Sequence, residues 1–323
     1  MTGTCPSDDF FMARAIELAV RGKGHTRPNP AVGAVVAKDG KIIGEGWHRR
    51  AGGDHAEAAA IRNALENGAN TLEGAVIYVT LEPCSRPGRV GACTDAIKAA
   101  GLSEAVYAVS DPNPVNADRA AAVLSAAGVK CRKASCSPEI MAEAEELVAD
   151  FAKHVTTGLP HVTVKIAMTL DGRICDSWGD AKWISSADAR RRTGLLRERV
   201  DAIMVGAQTV RMDNPSLLSH GAENPDLIRV VVSRSGDLPR DAQIFTDGKN
   251  RTLVFGDARE ALEELGKMGV TSVLCEGGLE LASHLAHEGL VDRWIAVLAP
   301  KVIGRKPIGE AVTLKDVVCL QDW

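Results

Sequence analysis

The segment AVGAVVAKDGKIIGEGW (residues 31–47) has the pattern of two strands joined by a tight turn. Apolar residues lie on both sides of Asp39-Gly40, a dipeptide that is a strong hairpin signal in such a setting. Another apolar run, AVIYVTL (75–81), predicts a buried strand. Between them, helical spacing runs from about His55 to Asn67, and Asp54 is expected to cap that helix.

Helices and strands continue to alternate after this core. In the rest of the first half we predict helices at about 93–100, 117–127 and 138–153, and strands at about 105–110 and 129–133. Alternation of this kind predicts a layered α/β domain. The stretch HVTTGLP (154–160) contains the turn-favouring residues Gly158 and Pro160, and we predict the boundary between two domains there.

The second half repeats the α/β pattern. A strand over 161–170 ends at the turn Asp171-Gly172, and helices are predicted from about Ser186 to Arg199 and from near Gly278. Short apolar strands are predicted at 202–206, 228–233, 252–256, 272–278 and 294–300. A chain of 323 residues accommodates two domains, which we predict at 1–153 and 160–323.

Composition narrows the class of partner. The net charge is −4 and no Lys/Arg stripe is visible, which argues against nucleic-acid binding and favours a small-molecule substrate. No apolar run reaches the roughly 18 residues that cross a membrane, and the polar opening MTGTCPSDDF is unlike a signal peptide. We therefore expect a cytoplasmic protein, in which clustered cysteines serve metal binding or catalysis sooner than disulfides.

Three residues have the chemistry of a catalytic zinc site. His55 stands at a predicted helix start, Cys84 directly follows a buried strand, and Cys93 opens another helix. A catalytic zinc takes three nitrogen or sulfur ligands and keeps one position for water. Helix N-termini also favour anionic sulfur. The sequence therefore predicts Zn²⁺ bound by His55, Cys84 and Cys93.

Glu57 lies two positions after His55, where a carboxylate can pass a proton from the activated water to a leaving amine. The order H-x-E followed by P-C and a second cysteine is the zinc-deaminase signature, although eight residues separate Cys84 from Cys93 here instead of two. A lone histidine or buried cysteine is usually structural. The four residues together predict a deaminase with Glu57 as its catalytic proton shuttle.

The whole set of motifs resembles the bifunctional riboflavin-biosynthesis deaminase/reductase family. The motifs that carry this resemblance are RPNPAVGAVV (27–36), HAE (55–57), TLEPCS (80–85), DPNP (111–114), KIAMTLDGRI (165–174), KWIS (182–185), VDAIMVGAQTVRMDNPSL (200–217), CEGG (275–278) and LAPKVIG (298–304). The resemblance implies a three-layer cytidine-deaminase-like domain followed by a dihydrofolate-reductase-like domain.

The resemblance also implies the two reactions. The first domain would deaminate 2,5-diamino-6-ribosylamino-4(3H)-pyrimidinone 5′-phosphate, and the second would reduce the ribosyl chain of 5-amino-6-(5-phosphoribosylamino)uracil with NADPH. The family tends to form homodimers through the second domain, and this analogy predicts a homodimer here.

The motifs and the resemblance also indicate candidate substrate and cofactor residues. Asn29 and Asn113 carry amides in rigid turns that suit a pyrimidine edge, although turn chemistry alone explains such residues; Asp111 belongs to the same motif. The resemblance places NADPH against Ala167, Trp183, Thr209, Asp213, Gly277, Gly278 and Leu279, and the reductase substrate against Lys165, Arg197, Leu217 and Glu276. Backbone N–H groups at the predicted helix start near Gly278 suit a phosphate.

Several positions depart from the family pattern. Arg86 replaces a usual His, Ala181 a usual Ser and His220 a usual Arg, and DPNP continues as VNADRA without the usual glycines. Arg86 is hypothesised to supply a phosphate donor. The family usually has another strand after the segment corresponding to 312–323, so a shortened second domain is also expected.

These departures leave alternatives open. One is a paralogue that deaminates a different aminopyrimidine, with a modified or silent reductase domain. Another is a zinc-bound scaffold, which retention of Glu57 argues against. A nucleic-acid deaminase is disfavoured by the net charge and the 4% aromatic content.

Overall fold

The computed structural model describes residues 7–86, 91–218, 224, 226–305, 307–308 and 311–313. The chain divides into two compact units, Met1–Gly158 and Leu159–Trp323. None of the helices in the described ranges has the length and apolar character needed to span a bilayer.

The first unit is built on a five-stranded mixed sheet in the order β2-β1-β3-β4-β5. Strand β1 pairs antiparallel with β2 and β3, whereas β3, β4 and β5 are parallel. The elements in chain order are α1 (Asp8–Val20), β1 (Gly33–Lys38), β2 (Lys41–Trp47), α2 (Ala56–Glu66), β3 (Val76–Leu81), α3 (Cys93–Ala99), β4 (Glu104–Val109), α4 (Ala120–Ser125), β5 (Lys130–Lys133) and α5 (Pro138–Thr157).

Both faces of this sheet are covered, which explains the continuous apolar run of β1. Ala34 and Val36 pack in a core with residues of α2, α3 and α4. Val35 and Ala37 alternate with them and pack in a second core with α1 and α5. The predicted hairpin and three-layer arrangement are therefore confirmed.

Small residues let α2 approach the sheet closely. Gly46 of β2 faces α2, and a Cβ there would collide with the backbone nitrogen of Ala60. A Cβ at Gly44 would meet the Ala60 carbonyl oxygen in the same way. Only glycine permits such close backbone approach, so the sequence IIGEGW fixes the position of α2 and of the residues at its start.

The second unit has a six-stranded sheet in the order β11-β6-β10-β7-β8-β9, with all five pairings parallel. Its elements are β6 (His161–Thr169), α6 (Ala187–Glu198), β7 (Ala202–Gly206), α7 (Ala207–Asp213), β8 (Ile228–Val232), α8 (Gln243–Thr246), β9 (Thr252–Phe255), α9 (Ala258–Lys267), β10 (Ser272–Cys275), α10 (Leu279–His287), β11 (Arg293–Ala299), β12 (Lys301–Val302) and β13 (Val312–Thr313). Strands β12 and β13 form a separate antiparallel pair.

Some local predictions were wrong. Asp54 does not cap α2, because His55 occupies the cap position and Asp54 instead pairs with Arg62. The helix predicted over 138–153 continues to Thr157, and Gly158 then ends it in the left-handed conformation at φ 76°. The strand predicted over 272–278 ends at Cys275, since Gly278 is already the cap of α10.

Candidate functional site

The first unit brings its predicted metal ligands together at one edge of the sheet. Cys84 follows β3, Cys93 is the first residue of α3, and His55 is the cap residue of α2. His55 Nδ1 lies 3.1 Å from Cys93 Sγ and 3.7 Å from Cys84 Sγ, and the two sulfurs are 3.4 Å apart. A tetrahedral zinc with bonds of about 2.0–2.3 Å needs ligand atoms roughly 3.5 Å apart, so the donor set and its spacing fit zinc.

The electrostatics of the two thiols favour a bound cation. The two sulfurs share a hydrogen bond at 3.4 Å, and this bond, with help from His55, lowers the pKa of Cys84 to about 4. The backbone N–H of Cys93 also donates to that sulfur at 3.3 Å. A thiolate held at a helix start beside an imidazole is the state in which cysteine binds metal.

Glu57 lies on the first turn of α2 and is 3% exposed. Burial raises the pKa of its carboxyl, and the negative charge of Cys84 raises it further. The side chain lines a cavity of about 190 Å³ together with His55 and Cys84. Glu57 is therefore placed to exchange protons with a molecule that enters this cavity.

Polar groups predicted to bind the pyrimidine line the same cavity. Asn29, Asp111 and Asn113 are all lining residues. Burial raises the pKa of Asp111, whose Oδ1 accepts the backbone N–H of Asn113 at 2.8 Å. The loops that carry Asp111 and Cys84 follow the parallel strands β4 and β3, so they emerge at the same sheet edge.

His48 is a site residue that sequence reasoning missed. It is 2% exposed, and burial lowers the pKa of its imidazole. Its Nδ1 donates to the Asp54 carbonyl oxygen at 2.9 Å, and its Nε2 accepts from the Asn29 amide at 3.2 Å. The imidazole thus orients Asn29 toward the cavity. Asn116 and Phe151 also line it and were not singled out.

Arg86 is not among the residues that line this cavity. Its side chain is exposed, next to residues 87–90, which lie outside the described ranges. His220 also lies outside the described residues. Ala181 is half-buried in the second unit.

The second unit has a larger cavity of about 770 Å³ at the carboxyl ends of its strands. Thr209, Gly278 and Leu279, all assigned to NADPH by resemblance, line it. Gly278 caps α10, which directs backbone N–H groups toward this edge. Additional polar lining residues are Ser233, Arg234, Ser235, Asp257 and His284.

Four other predicted cofactor residues do not line this cavity. Gly277 lies against the side chain of Leu281, and a Cβ at this position would lie only 2.8 Å from Leu281 Cδ2. Trp183 is 56% exposed and stacks under the Arg190 guanidinium at 4.3 Å. Ala167 lies on β6, and the carbonyl oxygen of Asp213 accepts from Lys182 Nζ at 2.9 Å.

Three predicted substrate residues of the second unit form one ionic cluster. Arg197 donates to both Glu276 oxygens at 2.6 and 3.1 Å, and Lys165 Nζ lies 3.8 Å from Glu276. Burial lowers the pKa of Lys165. Leu217 does not join this cluster, because its side chain is 2% exposed in an apolar core. Glu276 directly precedes Gly277 and Gly278, and Gly278 lines the larger cavity.

Two family models match the chain. The cytidine and deoxycytidylate deaminase zinc-binding region matches residues 6–109, and the RibD C-terminal domain matches residues 160–318. These matches place a zinc-binding deaminase region and a reductase-type domain in the two units.

Curated relatives and solved structures agree with the models. The riboflavin biosynthesis protein RibD of Escherichia coli is 36% identical over 92% of this chain and 89% of its own length. RibD of Mycobacterium tuberculosis is 38% identical over 92% of this chain and 86% of its own length.

The structure of a diaminohydroxyphosphoribosylaminopyrimidine deaminase/5-amino-6-(5-phosphoribosylamino)uracil reductase from Thermotoga maritima matches with a TM-score of 0.84, 35% identity, and coverage of 96% of this chain and 91% of that one. No comparison supports the alternative of a paralogue with a silent reductase domain. The chain therefore belongs to the RibD family of bifunctional riboflavin-biosynthesis enzymes and combines a zinc-dependent deaminase with an NADPH-dependent reductase.

Proposed function

We propose that His55, Cys84 and Cys93 hold the zinc of the deaminase and that Glu57 moves the proton during hydrolysis. The observation that carries this assignment is the convergence of the three ligand atoms within 4.8 Å of one another, beside a buried carboxyl in one cavity. Bound zinc supplies a Lewis acid that activates water for attack on the carbon bearing the amine.

The residues of the chain provide the remaining steps. Glu57 takes a proton at its carboxylate and returns it to the leaving nitrogen, which departs as ammonia. Asn29, held by His48, and Asp111 with Asn113 offer hydrogen-bonding groups to the pyrimidine edge. Arg86 remains a predicted donor to the substrate phosphate.

In the second unit, we propose that NADPH occupies the 770 Å³ cavity, against Thr209, Gly278 and Leu279. Ala167, Trp183, Asp213 and Gly277 remain predicted cofactor contacts. Lys165, Arg197 and Glu276 form the polar side of the substrate site, with Leu217 as a predicted contact. The cofactor supplies the hydride, and buried Lys165 is placed to steer a proton on the substrate.

We also propose that the protein acts as a cytoplasmic homodimer through its second unit. Trp294 and Leu298 on β11 are 53% and 55% exposed and lie on the same face of the strand. Exposed apolar side chains of this size support a protein–protein contact. Sedimentation of the purified protein would test this assembly.

A coupled assay tests the two activities. Purified, zinc-loaded protein receives the diaminopyrimidinone ribosyl phosphate, ammonia is measured, and NADPH absorbance is then followed. We expect ammonia release followed by NADPH oxidation. Ammonia without NADPH oxidation would refute the reductase assignment, and absence of ammonia would refute the deaminase substrate.

A further inference from the structure

Glu82 is a buried carboxylate that the proposed chemistry does not use. It lies between β3 and the ligand Cys84, is 3% exposed and lines the deaminase cavity. A buried carboxylate is costly unless hydrogen bonds satisfy its oxygens. The hydrogen-bond partners of the Glu82 side chain therefore indicate its role.

Three backbone N–H groups donate to Glu82. Oε2 accepts from Asp111 and from Asp118, and Oε1 accepts from Ala120, each at 3.1 Å. All three donors belong to residues 111–120, which we call the 111–120 loop. One side chain thus holds both the beginning and the end of this loop.

The middle of the 111–120 loop faces the substrate cavity. Asn113 and Asn116 line it, as does Asp111 at the start of the loop. The loop also stabilises itself locally, since Asn113 Oδ1 accepts the N–H of Val115 at 3.1 Å. Moving the ends of the loop would therefore move the amides that face the pyrimidine.

The backbone of the loop needs this external support. Asp118 has φ 57°, in the left-handed region that is unfavourable for residues other than glycine, although aspartate tolerates it better than most. No glycine lies in the loop to adopt this conformation freely. The bond from the Asp118 N–H to Glu82 holds the chain there.

We propose that Glu82 is a positioning residue that fixes the 111–120 loop and thereby sets how the deaminase unit holds its pyrimidine substrate. The inference rests on the proposed deaminase function. Glu82 acts through the loop and takes no part in the proton transfer.

Glu82→Gln tests this positioning role. Glutamine keeps one carbonyl oxygen as an acceptor, but its NH₂ group replaces the other oxygen and cannot accept from the backbone N–H groups of the loop. We expect the KM of ammonia release to rise about tenfold, as for loss of a charge-assisted hydrogen bond. We expect a smaller change in kcat and no change in zinc content or in the reductase rate. Exposed Glu66→Gln on α2 is the matched control and should leave all four values unchanged.

Hydrogen exchange followed by mass spectrometry gives a readout independent of turnover. Peptides covering 111–120 should exchange faster in Glu82→Gln and not in Glu66→Gln. If the glutamine variant does not fold, Glu82→Asp retains the charge with a shorter reach and should still raise KM with zinc retained.

Two results would overturn the inference: wild-type KM with wild-type exchange, or equal losses of zinc, kcat and reductase rate that indicate general destabilisation. A wild-type protein that releases no ammonia would instead refute the proposed function, and the exchange experiment would still report whether Glu82 holds the loop.

Discussion

Ser233 and Arg234, directly after β8, are polar residues that line the larger cavity of the second unit. Ser233 Oγ is buried and has no hydrogen-bond partner among the described residues. Arg234 is 86% exposed and reaches Glu280 at 3.2 Å, an exposed pair that contributes little on its own. A hydroxyl lacking a partner and a guanidinium that line one cavity suit a phosphate group, such as the one that distinguishes NADPH from NADH.

Arg234→Ala should therefore weaken NADPH more than NADH. We expect the KM for NADPH to rise roughly tenfold, by analogy with loss of one charge-assisted hydrogen bond, and the KM for NADH to change little. Steady-state reductase kinetics with both cofactors measure this, with exposed Arg240→Ala as the control. Equal effects on both cofactors would show that Arg234 does not contact the distinguishing phosphate.

The sequence predicts the proposed zinc ligands better than their surroundings. His55, Cys84 and Cys93 are recognisable because each combines ligand chemistry with a helix start or strand end. His48 has no such local signal, since its role comes from contacts to Asn29 and Asp54 in the folded chain. The proposed role of Glu82 likewise depends on a loop that begins 29 residues later.

At the scale of elements, a buried ion pair ties β8 to the end of α8. Arg229 is 1% exposed and donates to both oxygens of Asp247 at 2.6 and 2.9 Å. The same guanidinium donates to the carbonyl oxygens of Ser216 and Asn250. The Arg229 hydrogen bond also holds the pKa of Asp247 below its usual value.

Asp247→Ala should destabilise the second unit by about 3–5 kcal/mol, because it leaves a buried guanidinium without its counter-charge. Denaturant unfolding monitored by circular dichroism measures this change. The exposed Asp241→Ala, on the same segment, should change stability by less than about 0.5 kcal/mol. Similar stabilities for the two variants would contradict the importance of the buried pair.

Element types follow from periodicity more readily than element ends. The β1–β2 hairpin is predictable because Asp39-Gly40 separates two apolar runs. Sequence reasoning did not predict α9. The side chain of Asp257 caps this helix by accepting from the N–H groups of Arg259 and Glu260, and an aspartate at a helix start is a signal that the sequence shows. The end of α5 was placed too early, since Gly158 and not the preceding residues terminates the helix.

At the scale of the whole molecule, each unit has its own sheet, its own apolar cores and its own cavity. The metal-ligand cluster found in the described residues belongs to the first unit. The two activities should therefore respond separately to metal removal.

Treatment with a zinc chelator should abolish ammonia release while leaving NADPH oxidation by 5-amino-6-(5-phosphoribosylamino)uracil unchanged. Added Zn²⁺ should restore ammonia release, because the proposed ligands would bind the metal again. Parallel assays of the two reactions on one chelated sample provide the measurement. Ammonia release that persists in metal-free protein would refute the zinc assignment.

The most direct test of the account compares zinc content and ammonia release in wild-type protein and Glu57→Gln. The glutamine preserves the size of the side chain but cannot carry the proton, and His55, Cys84 and Cys93 remain in place. We predict wild-type zinc content with ammonia release lowered by at least about a hundredfold, the usual scale of lost general acid–base catalysis. Ammonia release near the wild-type rate, with zinc retained, would contradict the central claim.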